Sequence, residues 1–219
     1  MKAEFWHQRW EENQIGFHQD EINAHLQSFW GDLKLPAGSR VFVPLCGKSR
    51  DMLWLAGEGH KVLGVELSPI AVEDLFEENE LKPVRREQGP FDVYRCEELE
   101  VLLGDFFDIG PEELHGVAGV YDRASLVALP QEMRRRYADH LKAVLPPTAE
   151  LLLVTMDYPQ SEMDGPPFSV TEEEVRALYE DAYTVTPLAT LDILEENPRF
   201  RERGLTRMEE RVYRLSPRR

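Results

Sequence analysis

Arg40-Val-Phe-Val-Pro-Leu-Cys-Gly-Lys-Ser-Arg-Asp51, followed by Gly64-Val-Glu-Leu-Ser68, has the layout of a nucleotide-type cofactor site. A short apolar run ends in a Gly-containing turn and the start of a helix. About 20 residues past the turn, the acid Glu66 closes a second apolar run, the spacing at which a carboxylate meets ribose hydroxyls. Only Gly47 stands in the turn, so the G-x-G-x-x-G that cradles a pyrophosphate is missing. The stretch therefore suits a ribose-bearing ligand without a pyrophosphate. Gly47 permits close backbone approach or a positive φ.

Outward from this unit, strands and helices alternate. Val41–Leu45, Lys61–Glu66, Phe91–Arg95, Glu100–Leu103 and Val117–Tyr121 read as strands. Helices are expected over Ser49–Glu58, over Pro69–Glu80 behind the N-cap Ser68, and over Pro130–Val144, where Met133, Tyr137 and Leu141 share a face. Leu151–Met156 is wholly apolar, as a strand covered on both faces must be. Thr171-Glu-Glu-Glu174 is a capping box opening another helix, and Tyr183–Ile193 and Met208–Leu215 read as two pairing strands. The first thirty residues read as helical: Trp6 and Trp10 are four apart, and Ile22, Leu26, Phe29 and Trp30 recur at helical spacing. Such alternation predicts an α/β three-layer sandwich, a mostly parallel sheet with helices on both faces, whose ligands bind beyond the strand C-termini.

The chain has 219 residues, 42% apolar and 30% charged, enough for one α/β domain with a full core. Its net charge of −16 argues against a nucleic-acid backbone or an anionic membrane as partner. No apolar run is long enough to span a bilayer, and Met1-Lys-Ala-Glu-Phe-Trp is not a signal peptide, so a cytoplasmic protein is expected. Cys46 and Cys96 fit no CxxC or Cys/His spacing, and no metal site is expected. His18 and His25, seven apart, can share a helix face, but without carboxylate company such a pair is more often structural. No heptad seam or interface patch is evident, and a monomer is expected.

The residues with chemical potential follow strands. Gly104-Asp105-Phe106-Phe107 offers an acid and aromatic rings to an adenine, or an Asx turn over core phenylalanines. Asp122-Arg123-Ala-Ser-Leu126 places an arginine where it can fix a carboxylate or a thiolate, or merely pair with Asp122. Cys46 inside the turn reads as a small buried residue rather than a nucleophile, since no histidine adjoins it in sequence.

Arg40-Val-Phe-Val-Pro-Leu-Cys-Gly-Lys-Ser49, Trp54 through Ser68, Tyr121-Asp-Arg-Ala-Ser-Leu-Val-Ala-Leu-Pro130, Phe5-Trp-His-Gln-Arg-Trp10 with Gly16-Phe17-His18, and Gly165-Pro-Pro-Phe-Ser169 together resemble the thiopurine S-methyltransferase family in its bacterial form. The resemblance covers nearly the whole chain. It implies a class I methyltransferase fold: a seven-stranded, mostly parallel sheet with one antiparallel strand, in a single domain of residues 1–219, with residues 1–35 as a helical cap. It implies S-adenosylmethionine as cofactor and aromatic or heterocyclic thiols as acceptors, with selenium or tellurium compounds as further acceptors and detoxification as the setting. It also implies roles. Trp10, the Leu45 backbone, Gly47, Glu66, Asp105 and Arg123 would hold the cofactor, and Glu66 would take its ribose. Trp10, Phe17, Arg123 and one of Arg199 or Arg201 would face the acceptor, and Arg123 would orient it or stabilise its thiolate. Trp6 is expected to pack on its own helix face, and the N-terminal segment to act as a lid. A nicotinamide-dependent oxidoreductase and a non-catalytic S-adenosylmethionine-binding protein are the alternatives.

Overall fold

The computed structural model describes residues 3–218. One nine-stranded sheet runs through it, with strands β1 (Arg40–Val43), β2 (Lys61–Glu66), β3 (Val84–Gln88), β4 (Phe91–Cys96), β5 (Leu99–Leu103), β6 (Val117–Arg123), β7 (Glu150–Asp157), β8 (Tyr183–Asp192) and β9 (Glu209–Pro217). The order is β3-β4-β5-β2-β1-β6-β7-β9-β8. The segment β5-β2-β1-β6-β7-β9-β8 is the expected seven-stranded arrangement: its first five strands are parallel, and β9 runs antiparallel between β7 and β8. The expected count of seven is corrected to nine because the hairpin of β3 and β4 adds two strands beyond β5, with β4 antiparallel to both of its neighbours. This hairpin pairs a strand edge that would otherwise be left open.

Period-2 alternation sends neighbouring side chains to opposite faces, and the core divides accordingly. Phe42, Leu63, Val65, Leu151 and Leu153 pack on one side with Tyr137 and Leu141 of α5 (Gln131–Val144) and Val175 of α6 (Glu172–Tyr179). Val41, Val43, Val62, Leu152 and Val154 pack on the other, against α2 (Ala24–Phe29), α3 (Asp51–Gly57) and α4 (Pro69–Glu78). Helix starts follow the sequence. Ser68 Oγ accepts the Ala71 N–H, with Pro69 in the first turn, and Thr171 Oγ1 accepts the Glu174 N–H.

The N-terminal segment is less helical than its spacing suggests. Helix α1 (Ala3–Glu11) is followed by Asn13 in the left-handed region, φ 53°, with Gln14 N–H returning to the Arg9 carbonyl. Helix α2 starts only after Asn23, whose side chain accepts the His25 and Leu26 N–H groups. Ile22 therefore precedes the helix, and His18 lies in the loop and shares no helix face with His25. A third cluster, with Tyr158, Met163, Ile193, Leu194 and Met208, anchors α7 (Pro198–Glu202) through Phe200. Among the described residues no helix is long and apolar enough to cross a membrane.

Candidate functional site

The strand order reverses at β1, where the chain goes first to β2 and β5 on one side and later to β6 on the other. A cavity of about 840 Å³ opens there, beyond the strand C-termini. Trp10, Phe17, Leu45, Gly47, Glu66, Asp105, Arg123 and Arg199 all line it. Arg201 does not: it is exposed and paired with Glu195. The choice left open between Arg199 and Arg201 thus falls on Arg199 as the one facing the cavity.

The turn after β1 is tightly built. Leu45 and Gly47 have φ of 45° and 52°, both in the left-handed region, which costs Leu45 backbone strain. The Cys46 N–H returns to the Val65 carbonyl at 2.9 Å, holding the turn against β2. A Cβ on Gly47 would stand 3.2 Å from the Trp10 ring, so a side chain there would press the ring back. Glu66 completes the structure. One carboxylate oxygen accepts the Gly47 N–H at 2.8 Å and the other the Ser68 N–H at 2.7 Å. Burial raises the Glu66 pKa, against the lowering pull of the Ser68, Gly47 and Leu67 N–H groups. Each carboxylate oxygen retains a lone pair for a hydroxyl donor on the cavity side.

Gly64 of β2 lies under the turn. A Cβ there would meet Cys46 Sγ at 2.7 Å and Met52 Sδ at 3.0 Å. Cys46 is buried, and burial, then Glu66, pushes its thiol well above the usual range. A thiol so held is no nucleophile. Cys46→Ala is expected to keep turnover within roughly threefold of the parent, since the sulfur only fills space.

On the other side of β1, Arg123 ends β6. It does not pair with Asp122, which is fully buried and faces the opposite way. Asp122 Oδ2 accepts the Tyr137 hydroxyl at 2.7 Å, and Oδ1 accepts the Leu126 N–H at 3.4 Å. Ala124, with φ 65°, and the Ser125 hydroxyl donated to the Pro44 carbonyl at 2.8 Å complete this turn and tie it to the one after β1. Burial raises the Asp122 carboxyl from 3.8 to about 6, against the hydrogen bonds it accepts. Between these values the unfolded chain has lost the proton that the native state keeps. Stability attributable to this group therefore falls as pH rises through that window. At 1.36 kcal/mol per unit, roughly 2 kcal/mol of relative stability is lost between about pH 4.5 and 7.5. Urea unfolding of the parent and Asp122→Asn at both pH values should show that change in their difference.

Asp105 caps a short 3-10 turn, Phe106–Asp108, by accepting the Phe107 N–H. It is exposed on the cavity wall, so the Asx turn and an available acid coexist. Phe106 is core rather than a free face, buried and stacked on Tyr137 at 4.7 Å between ring centroids. Arg136 lies 3.8 Å over the Phe107 ring. Trp6 also lines the cavity, packed edge-on against Phe17, which meets Trp10 edge-on as well. Sequence spacing did not show Trp6 there because the loop that brings Phe17 back is not helical.

The family model described as thiopurine S-methyltransferase matches residues 1–218. The chain belongs to that family. It is 54% identical over 215 residues to a thiopurine S-methyltransferase of Pseudomonas fluorescens, covering 98% of this chain and 99% of the relative. It is 51% identical over 218 residues to one from Nitrosospira multiformis, covering 100% and 99%. Among solved structures, an S-adenosylmethionine-dependent methyltransferase of Anabaena variabilis superposes with a TM-score of 0.66 at 14% identity, over 99% of this chain and 95% of that one. The 1,6-didemethyltoxoflavin-N1-methyltransferase of Burkholderia thailandensis, solved with bound 1,6-didemethyltoxoflavin and S-adenosylhomocysteine, gives 0.62 at 16% identity, over 98% and 87%. These distant structures establish the class I methyltransferase fold, and family membership makes the chain an S-adenosylmethionine-dependent enzyme. The nicotinamide alternative falls with that.

Proposed function

We propose that the protein moves the methyl group of S-adenosylmethionine to the sulfur of aromatic or heterocyclic thiols such as thiopurines, giving S-adenosylhomocysteine and a thioether. Selenium or tellurium compounds extend the same acceptor class. We read the chain as one methyltransferase domain with residues 1–35 as its cap, working as a cytoplasmic monomer in detoxification. One observation carries the reading within the family. Glu66 and Arg123 face a single cavity from either side of the β1 turn, under an aromatic wall of Trp6, Trp10 and Phe17.

The residues fit the cofactor. The buried Glu66 carboxylate has acceptor capacity left after its two backbone bonds, which suits ribose hydroxyls. Leu45 and Gly47 would hold the methionine part by their backbone, with Trp10 above them, and Asp105 would accept from the adenine amino group. About 840 Å³ accommodates a ligand of drug-like size with an aryl acceptor beside it. When bound, S-adenosylmethionine supplies an electrophilic methyl on its sulfonium.

The chain's own residues then align and shield. The reacting species on the acceptor is a thiolate. Aryl thiols ionise readily, so no strong base is needed and the proton goes to solvent. Arg123, always charged, stabilises the ionised sulfur electrostatically, and the tryptophans and Phe17 exclude water and hold the ring in line. Turnover of a panel of aryl thiols, thiopurines and selenols, scored by mass for methyl addition, tests the proposal; addition to none of the thiols refutes it.

The cap closes over the ligand as a lid. Amide exchange in residues 3–22 should slow when S-adenosylhomocysteine is added, and unchanged protection would count against the lid. Residues 1 and 2 of the expected cap, and residue 219 of the expected domain, lie outside the described residues.

A further inference from the structure

Arg9, Arg136 and Arg203 also reach the cavity, from α1, α5 and the C-cap of α7. So do four carboxylates, and these differ in what holds them. Glu66 and Asp105 follow β2 and β5, on the half that the cofactor would occupy, and both accept backbone N–H groups. Glu196 is exposed in the loop before α7. Glu210, the second residue of β9, has a side chain only 12% exposed and accepts no backbone N–H among the described residues.

Register fixes where Glu210 points. Arg123 of β6 lies beside Val154 of β7, and Val154 beside Val212 of β9. Partners across a ladder share a face, and so do residues two apart along a strand. Glu210, two residues from Val212, therefore leaves the sheet on the same face as Arg123, with β7 between them. The cation and the carboxylate flank one stretch of wall, on the side of β1 away from Glu66.

His25 stands behind the carboxylate. It sits in the first turn of α2, with its own N–H accepted by Asn23 Oδ1 and its ring stacked on Phe29. Its Nε2 lies 2.7 Å from Glu210 Oε2. A carboxylate only accepts, so the imidazole donates and Oε2 is committed. Oε1 has no hydrogen-bond partner among the described residues, and the residue lines the cavity. A buried histidine thus holds one end of a carboxylate whose other end is open to a ligand.

Heterocyclic thiols differ from aryl thiols in one respect. Where a ring nitrogen adjoins the carbon that bears sulfur, the neutral form is the thione, with the proton on nitrogen. That N–H is weakly acidic until the sulfur gains a methyl group, when keeping it would leave a cation. A carboxylate is too weak a base to strip the thione, but strong enough to take the proton as the methyl arrives.

We propose that Glu210, positioned by His25, accepts the ring N–H of a heterocyclic thione and takes its proton during methyl transfer. The inference rests on the S-methylation reading above and singles out, among its acceptors, thiones with an N–H beside the C=S, a class that includes thiopurines. The thione sulfur bonds to the methyl carbon, and the electron pair of the broken bond stays with the cofactor sulfur, giving S-adenosylhomocysteine. The N–H bond electrons restore the aromatic ring, and the proton passes to Glu210 Oε1 and then to solvent. Simple aryl thiols, already ionised, have no such proton to give.

The test uses the full chain, with pyridine-2-thione as the N–H acceptor and 4-methylbenzenethiol as the aryl thiol. Glu210→Gln keeps an oxygen that can accept the N–H but cannot take the proton. The ratio of kcat/KM for the thione to that for the aryl thiol should fall roughly a hundredfold in this variant, chiefly through kcat, as expected for a positioned proton acceptor. His25→Ala, which frees Oε2, should lower the same ratio by a smaller factor; an unchanged ratio there overturns the part given to His25. In the parent, pyridine-2-thione held in the complex with S-adenosylhomocysteine should show the ultraviolet spectrum of its N–H form. A thiolate spectrum there overturns the proposal, whatever the variants do. So does a ratio unchanged in Glu210→Gln, even with both activities reduced: it marks the His25–Glu210 bond as a brace between α2 and β9 and leaves thiol methylation standing. Transfer to neither acceptor by the parent refutes thiol methylation, and the proton step with it.

Discussion

Glu66→Ala is expected to weaken S-adenosylmethionine binding roughly a hundredfold, read by calorimetric titration of the purified variant. Two losses add. The ribose hydroxyls lose a buried carboxylate, and hydrogen bonds to charged groups in such sites contribute about 1.5–3 kcal/mol each. In addition, the Gly47 and Ser68 N–H groups lose the oxygens that hold them at 2.8 and 2.7 Å. The turn that carries Leu45 at positive φ then keeps the Cys46 N–H bond to the Val65 carbonyl but loses the one from Gly47 to the end of β2. Glu66→Gln separates the two contributions, because one amide oxygen can serve one N–H but not both. Binding by Glu66→Ala within about threefold of the parent would remove Glu66 from the cofactor site.

Gly64→Val should destabilise the fold by more than about 3 kcal/mol, at the upper end of what overpacking costs. The first added carbon already falls 2.7 Å from Cys46 Sγ and 3.0 Å from Met52 Sδ, and both of those residues are buried. Valine suits a strand by propensity, so a loss here isolates packing from backbone preference. Relief can come only by pushing Cys46 outward, which carries the Leu45–Gly47 turn with it. Cofactor affinity should therefore fall together with the denaturation midpoint. Cys46→Ala in the same chain should restore part of both, and the double-variant cycle measures that coupling. Unchanged midpoints would show that the sheet yields here instead.

The central strands were legible because burial on both faces leaves continuous apolar runs, as at Val41–Val43 and Leu151–Val154. That Glu66, Asp105 and Arg123 would meet at one cavity was legible because each follows a strand of a parallel sheet, and the C-terminal ends of such strands share one rim. Strand β3 left no trace. All five of its residues, Val84–Gln88, are exposed, so it has neither alternation nor an apolar run, and Val84 is 73% exposed. Arg9, Arg136 and Arg203 were missed for another reason. Each is an ordinary surface arginine in its own segment, and only the meeting of α1, α5 and α7 around one cavity distinguishes them. Asp122 looked like half of an exposed ion pair. Its fate was decided by Tyr137, fifteen positions away on α5.

Besides the packing of Phe17 and Ile22, the loop between α1 and α2 is tied to the sheet and its helices by hydrogen bonds to its main chain. Arg199 donates to the Gly16 carbonyl, Arg123 to the Phe17 carbonyl, Arg50 to the Asp20 carbonyl, and the Asp51 carboxylate accepts the Asn23 N–H, at 2.7, 3.1, 2.9 and 2.8 Å. These four bonds recognise a backbone trace and do not depend on the side chains hung from it. Gln14, His18 and Gln19, which face the cavity, can be exchanged without undoing these bonds. Fastening and selectivity are thereby assigned to different atoms of one segment, so acceptor preference can be retuned there while the wall itself stays in place.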